Sequence, residues 1–129
     1  MPVFSFSERS LRNLRDVHPD LISLAHYALT LTPVDFGITE GRRSPARQQA
    51  LIKQGLSRTA NSRHLTGHAI DIIAYPTPAG SWEFTYYQLI AEAFMQASGA
   101  IGIPVEWGGN WEKFQDGPHF QLPWEHYPV

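Results

Sequence analysis

Hydrophobic positions along the chain fall into four stretches with helical spacing and four with strand-like density. Leu21, Leu24, Ala25, Ala28 and Leu29 form a helical stripe behind His18-Pro19, and proline suits the first helical position. Ser7 can cap a shorter helix reaching about Leu14. Ser44-Pro45 opens a third helix through Ala46, Ala50, Leu51 and Ile52, with Gly55 as its stop. Tyr87, Ile90, Phe94 and Ala97 predict a fourth, amphipathic helix that ends near Gly99. Strands are predicted at Val34 to Thr39, His68 to Tyr75, Ile101 to Trp107 and Pro118 to Leu122. The stretches 56–67 and Gly108 to Gly117 read as loops. In His68 to Tyr75 both alternating faces are apolar, which predicts a central strand covered on both sides. Helices and strands are mixed without a regular βαβ repeat, so the fold class is α+β.

Polar residues that interrupt these patterns mark the chemistry. Asp71 sits inside His68-Ala69-Ile70-Asp71-Ile72-Ile73. A carboxylate buried there must be paired, hydrogen-bonded or bound to a cation, because an unpaired buried charge costs several kcal/mol. A salt bridge would satisfy it equally. His64 precedes it by a short turn containing Gly67, which lets the chain reverse closely. In Pro118 to Leu122, Phe120 and Leu122 share one strand face while His119 and Gln121 share the other, so His119 can face a cleft. His64, Asp71 and His119 make a three-ligand set suited to zinc, with a fourth position open to water as a hydrolase requires. His68 stands four residues after His64, but its strand parity is opposite to that of Asp71, which argues against it as a ligand. His18 reads as a helix cap, His26 as a helix-face residue and His126 as tail.

A hydrolase also needs a base. Asp116 lies three residues before His119 across Gly117-Pro118 and is the candidate held near the ligands; Glu106 and Glu112 are its rivals. An aspartate before Gly-Pro is also an ordinary turn residue. Arg43 follows the first strand and precedes a helix start, a place suited to an anionic group, whereas Arg42 should face solvent. Either arginine could equally be a surface ion-pair partner. Trp107, Trp111, Phe114 and Trp124 flank the presumed cleft, with Trp111 the candidate for its wall.

Composition narrows the function classes. The chain has 129 residues, 43% hydrophobic and 17% charged, which fits one globular domain. No cysteine is present, so a metal must rest on His and carboxylates. The net charge of −2 argues against phosphate-driven nucleic-acid binding. Charge is uneven: residues 1–63 carry nine basic and five acidic side chains, residues 64–129 one basic and seven acidic. That pattern suits a cation site in the second half and an anion site in the first, and equally a solvated surface with chance clustering. No apolar run approaches the ~20 residues of a membrane helix. The N-terminus lacks the charged start and apolar run of a signal peptide. The expectation is a soluble product of the cytosol.

The motifs together resemble a known family. Ser62-Arg63-His64-Leu65-Thr66-Gly67-His68-Ala69-Ile70-Asp71 matches the SxHxxGxAxD motif of the D-Ala-D-Ala-type M15 zinc peptidases. Asp116-Gly117-Pro118-His119-Phe120 matches their second motif, and Glu40-Gly41-Arg42-Arg43-Ser44 resembles their G-x-R-S segment. Trp107-Gly108-Gly109-Asn110-Trp111 resembles the branch containing phage endolysins of L-alanyl-D-glutamate peptidase type. The resemblance implies a Hedgehog/D-Ala-D-Ala-peptidase-like α+β fold, a small mainly antiparallel sheet packed with helices. It implies zinc on His64, Asp71 and His119, Asp116 as base and Arg43 on substrate. The implied activity is cleavage of the L-Ala–D-Glu bond in peptidoglycan stems. A D,D-carboxypeptidase, a D-Ala-D-Ala dipeptidase or a non-catalytic zinc-bearing binding domain are the alternatives. The further expectations are one zinc peptidase domain over residues 1–129 without a separate wall-binding domain, a monomer, and no nucleic-acid partner or membrane insertion. The protein would be made in the host cytoplasm and reach the wall after holin-mediated release.

Overall fold

The alternation of residues along one strand decides which side of the molecule becomes core and which becomes site. The computed structural model describes residues 3–57, 62–112 and 115–128. Its elements are α1 (Glu8–Leu14), α2 (Pro19–Leu31), β1 (Asp35–Glu40), α3 (Pro45–Lys53), a 3-10 turn (Arg63–Thr66), β2 (Ala69–Tyr75), α4 (Phe84–Ile101), β3 (Glu106–Trp107) and β4 (His119–Gln121). The helix starts follow the capping residues. Ser7 Oγ accepts from Ser10 N, His18 Nδ1 accepts from Asp20 N, and Ser44 Oγ accepts from Arg47 N. Among the described residues no helix is long and apolar enough to cross a membrane.

The strands form one antiparallel sheet in the order β1-β2-β4-β3. Cross-strand pairs put Phe36 opposite Ala74, Ile38 opposite Ile72, and Phe120 opposite both Ile70 and Trp107. These side chains are buried with Leu21, Leu24, Ile90 and Phe94 from α2 and α4. Phe94 stacks on Phe120 at 4.0 Å between ring centroids. The opposite face carries Asp71 and His119, which are direct partners across β2 and β4. A bulge between Ile38 and Glu40 sets Glu40 opposite Asp71 on that face.

Two expectations are corrected. β2 is interior to the sheet, but only one of its faces is fully covered. Ile70, Ile72 and Ala74 are buried, whereas Asp71, Ile73 and Tyr75 are half-buried. The predicted strand from Ile101 to Trp107 is mostly absent. α4 runs through Gly99 to Ile101 and ends at Gly102, whose φ of 71° supplies the left-handed C-cap. Only Glu106 and Trp107 then pair with β4. A short apolar run beside a glycine fits a helix end as well as a strand start.

Candidate metal centre

His64 is delivered by the 3-10 turn. Ser62 Oγ accepts from His64 N at 3.2 Å, and Gly67 closes the turn with φ 76°. A side chain at Gly67 would also strike the Asp16 carbonyl, with Cβ at 2.6 Å. The imidazole is 1% exposed. Its Nδ1 donates to the Gly41 carbonyl at 2.8 Å, which leaves Nε2 as the unprotonated nitrogen of the neutral ring. Nε2 is buried and has no hydrogen-bond partner among the described residues, though Asp71 Oδ2 lies 3.3 Å away. Asp71 Oδ1 lies 3.3 Å from His119 Nδ1. One ligand atom from each of His64, Asp71 and His119 lies within 4.8 Å of the others.

This donor set fits a metal ion. A buried nitrogen without a partner is costly, and a cation among two imidazoles and a carboxylate relieves that cost. Without an ion the three groups restrain one another. Burial alone would raise the Asp71 carboxyl, but His64 and His119 hold it well below the usual carboxylate range. Burial works against charging His119, yet the Asp71 carboxylate beside it holds its pKa above the ordinary histidine value. Together the three can bind a divalent cation.

Asp116 and Arg43 line the same cleft, which has a volume of about 880 Å³. Asp116 is half-buried there; burial, and next the Asp71 charge, raise its carboxyl above the usual range. Its position is fixed by backbone bonds: Asp116 N donates to the Gly108 carbonyl at 2.9 Å, and His119 N donates to the Asp116 carbonyl at 3.2 Å. Arg43 is buried and Arg42 exposed. Arg43 Nε donates to Glu40 Oε1, its first terminal nitrogen to Gln48 Oε1 at 2.7 Å, and its second to Asp71 Oδ2 at 3.5 Å. It therefore ties the cleft wall to a candidate ligand.

Of the rival acids, Glu106 lines the cleft and accepts from Trp111 Nε1 at 2.9 Å, while Glu112 is exposed and lies outside the lining. Trp111 forms cleft wall and packs on the His119 ring at 5.0 Å. Trp107 belongs to the core, and Phe114 lies outside the described residues. His68 is separate from the cluster: its Nδ1 meets Thr66 Oγ1 at 2.7 Å and its ring lies against His18. His26 packs its ring on Phe6, and His126 is exposed in the C-terminal segment.

Three contributors escaped the sequence reading. Gln121 accepts from His119 Nε2 at 2.8 Å; its shared parity with His119 was the available signal. Gln48 receives Arg43. Buried Arg63 donates to the carbonyls of Leu122 and Tyr127, and its guanidinium lies 4.1 Å from the Trp124 ring, which places that half-open indole on the cleft wall.

Comparisons with known proteins place the chain in a family. The family model described as phage L-alanyl-D-glutamate peptidase matches residues 2–122. The L-alanyl-D-glutamate peptidase of Escherichia phage T5 is 33% identical over 117 residues, covering 88% of this chain and 85% of that protein. The protein of the same name from Listeria phage A118 is 28% identical, covering 95% of this chain and 43% of that protein. The crystal structure of the Serratia marcescens L-Ala D-Glu endopeptidase ChiX superposes with a TM-score of 0.92 at 49% identity, covering 98% of this chain and 96% of that chain. A match spanning nearly the whole sequence, together with a near-complete structural superposition, shows that the chain belongs to the phage L-alanyl-D-glutamate peptidase family.

Proposed function

We propose that this chain is a zinc peptidase of peptidoglycan that hydrolyses the bond between L-Ala and D-Glu in the peptide stem. The observation that carries the reading is the convergence of His64, Asp71 and His119 in a cleft that also holds Asp116 and Arg43. Zinc would be held by His64 Nε2, the Asp71 carboxylate and His119 Nδ1. When bound, it supplies a Lewis acid that polarises a carbonyl and makes water more acidic.

The chain's own groups carry the proton. Asp116, its pKa raised by burial, takes a proton from the attacking water as the water oxygen bonds to the L-Ala carbonyl carbon. As the C–N bond breaks, Asp116 returns the proton to the D-Glu nitrogen, so the products are an L-Ala carboxyl and a D-Glu amine. Arg43 turns its longest contact, 3.5 Å to Asp71, toward the carbonyl oxygen as charge develops there. Residues 1–129 act as one peptidase domain and as a monomer. Release through a holin-opened membrane is the use supported by the phage origin of two relatives.

Purified sacculi digested with the zinc-loaded protein test this. New D-Glu amino termini support the reading. Release of free D-Ala, or no new amine, overturns it.

A further inference from the structure

We propose that Glu106 is a positioning residue: acting through Gln121, it fixes His119 in the tautomer that leaves Nδ1 free for a metal. The proposal rests on the metal site proposed above. Its basis is a continuous chain of contacts on the site face of the sheet. Glu106 and Gln121 are cross-strand partners on β3 and β4. Glu106 Oε2 receives Trp111 Nε1 at 2.9 Å and Gln121 Nε2 at 3.4 Å. Gln121 Oε1 in turn meets His119 Nε2 at 2.8 Å.

An ionised carboxylate offers only acceptors, so Glu106 turns the NH₂ end of the Gln121 amide toward itself. That leaves the amide oxygen against His119. An oxygen there accepts from Nε2–H and so favours the tautomer with its proton on Nε2 and its lone pair on Nδ1, against the pull of the Asp71 carboxylate on that proton. Nδ1 is the nitrogen that faces Asp71 at 3.3 Å. The reversed amide would set NH₂ against Nε2, drive the ring proton to Nδ1 and block the ligand position. Glu106 therefore selects the ligating nitrogen from two bonds away, and the two-residue strand β3 serves to place it. Trp111 completes the arrangement, bonding the same carboxylate oxygen while packing on the ring it helps orient.

The test compares wild type, Glu106→Leu, and the double variant Glu106→Leu/Gln121→Glu. Each is measured by zinc titration calorimetry and, metal-free, by nitrogen-15 imidazole spectra at a pH where His119 is neutral. Glu106→Leu removes the acceptor, so the Gln121 amide can sit either way. Zinc affinity should fall by about tenfold to a hundredfold, as for other partners that orient metal-binding histidines, and the share of His119 with its proton on Nε2 should fall. In the double variant the introduced carboxylate offers only acceptors to His119 Nε2 in either orientation, so tautomer and affinity should return. A single variant with wild-type affinity or an unchanged tautomer share overturns the proposal, as does a double variant no better than the single one. Failure of wild type to bind zinc would instead sink the proposed function, and the tautomer spectra would still decide the role of Glu106.

Discussion

Asp71 and His119 are cross-strand partners on β2 and β4, 48 residues apart in sequence, with Oδ1 and Nδ1 3.3 Å apart. The same register pairs Ile70 with Phe120 on the buried face. Core and site are thus set by one alignment. A slip of one residue would turn the polar pair into the core and the apolar pair into the cleft, so hydrophobic burial enforces the geometry of the candidate ligands.

Asp116→Asn preserves shape and removes the proposed base. Hydrolysis of muropeptides should fall by ~10²-fold or more while zinc content stays at the wild-type level. Steady-state rates and elemental analysis of one preparation give both readings. Undiminished turnover would remove Asp116 from the reaction.

Gly108 leaves no room for a side chain: a Cβ there would lie 2.5 Å from the Asp116 carbonyl oxygen and 3.1 Å from His119 Cβ. Gly108→Ala should therefore lower kcat by displacing Asp116 while the α-helices, none of which the added methyl meets, keep their circular dichroism. A variant with the wild-type rate would show that the loop tolerates the shift.

Asp71 and His119 show what the sequence made legible. Asp71 stood out as a charge within an apolar strand, and parity alone separated His119 from Phe120. Capping residues located the helix starts. The end of α4 was hidden because Gly99 and Gly102 offer the same local signal, and only tertiary context chooses between them. The role of Glu106 depends on β3 lying beside β4, and that of Gln48 on how α3 folds back toward Arg43; a pattern of residue types along one strand encodes neither. Arg43 was legible as a site residue, but its burial between Glu40, Gln48 and Asp71 follows from the β1 bulge.

Arg43→Leu would leave Glu40 and Asp71 facing each other without their shared cation. Removing one member of a buried ion pair costs about 3–5 kcal/mol, and partial exposure of the two carboxylates places this case near the lower end. Urea unfolding of the metal-free protein should show the loss, with Arg43→Lys intermediate. Wild-type stability in Arg43→Leu would contradict the assigned pairing.

The metal-free protein should have a defined pH optimum of stability. Asp71 titrates lower when folded, so its contribution is present above the unfolded value of about 3.9 and is lost as pH falls from there through the folded value. His119 titrates higher when folded, so its contribution is full below about 6.5 and is lost as pH rises through the folded value. The melting temperature should therefore be higher near about pH 5.5 than near about pH 8. Zinc competes with protons for the imidazoles, so the gain on adding zinc should run the other way, larger at the higher pH. Calorimetric melts with and without zinc at both values check the two signs.

The central claim is that His64, Asp71 and His119 hold one zinc ion. Crystals of the zinc-loaded protein, measured on both sides of the zinc absorption edge, test it most directly. The account predicts one strong anomalous peak at roughly 2.0–2.2 Å from His64 Nε2, an Asp71 carboxylate oxygen and His119 Nδ1. No peak among these three side chains, or a peak bound elsewhere on the chain, would contradict it.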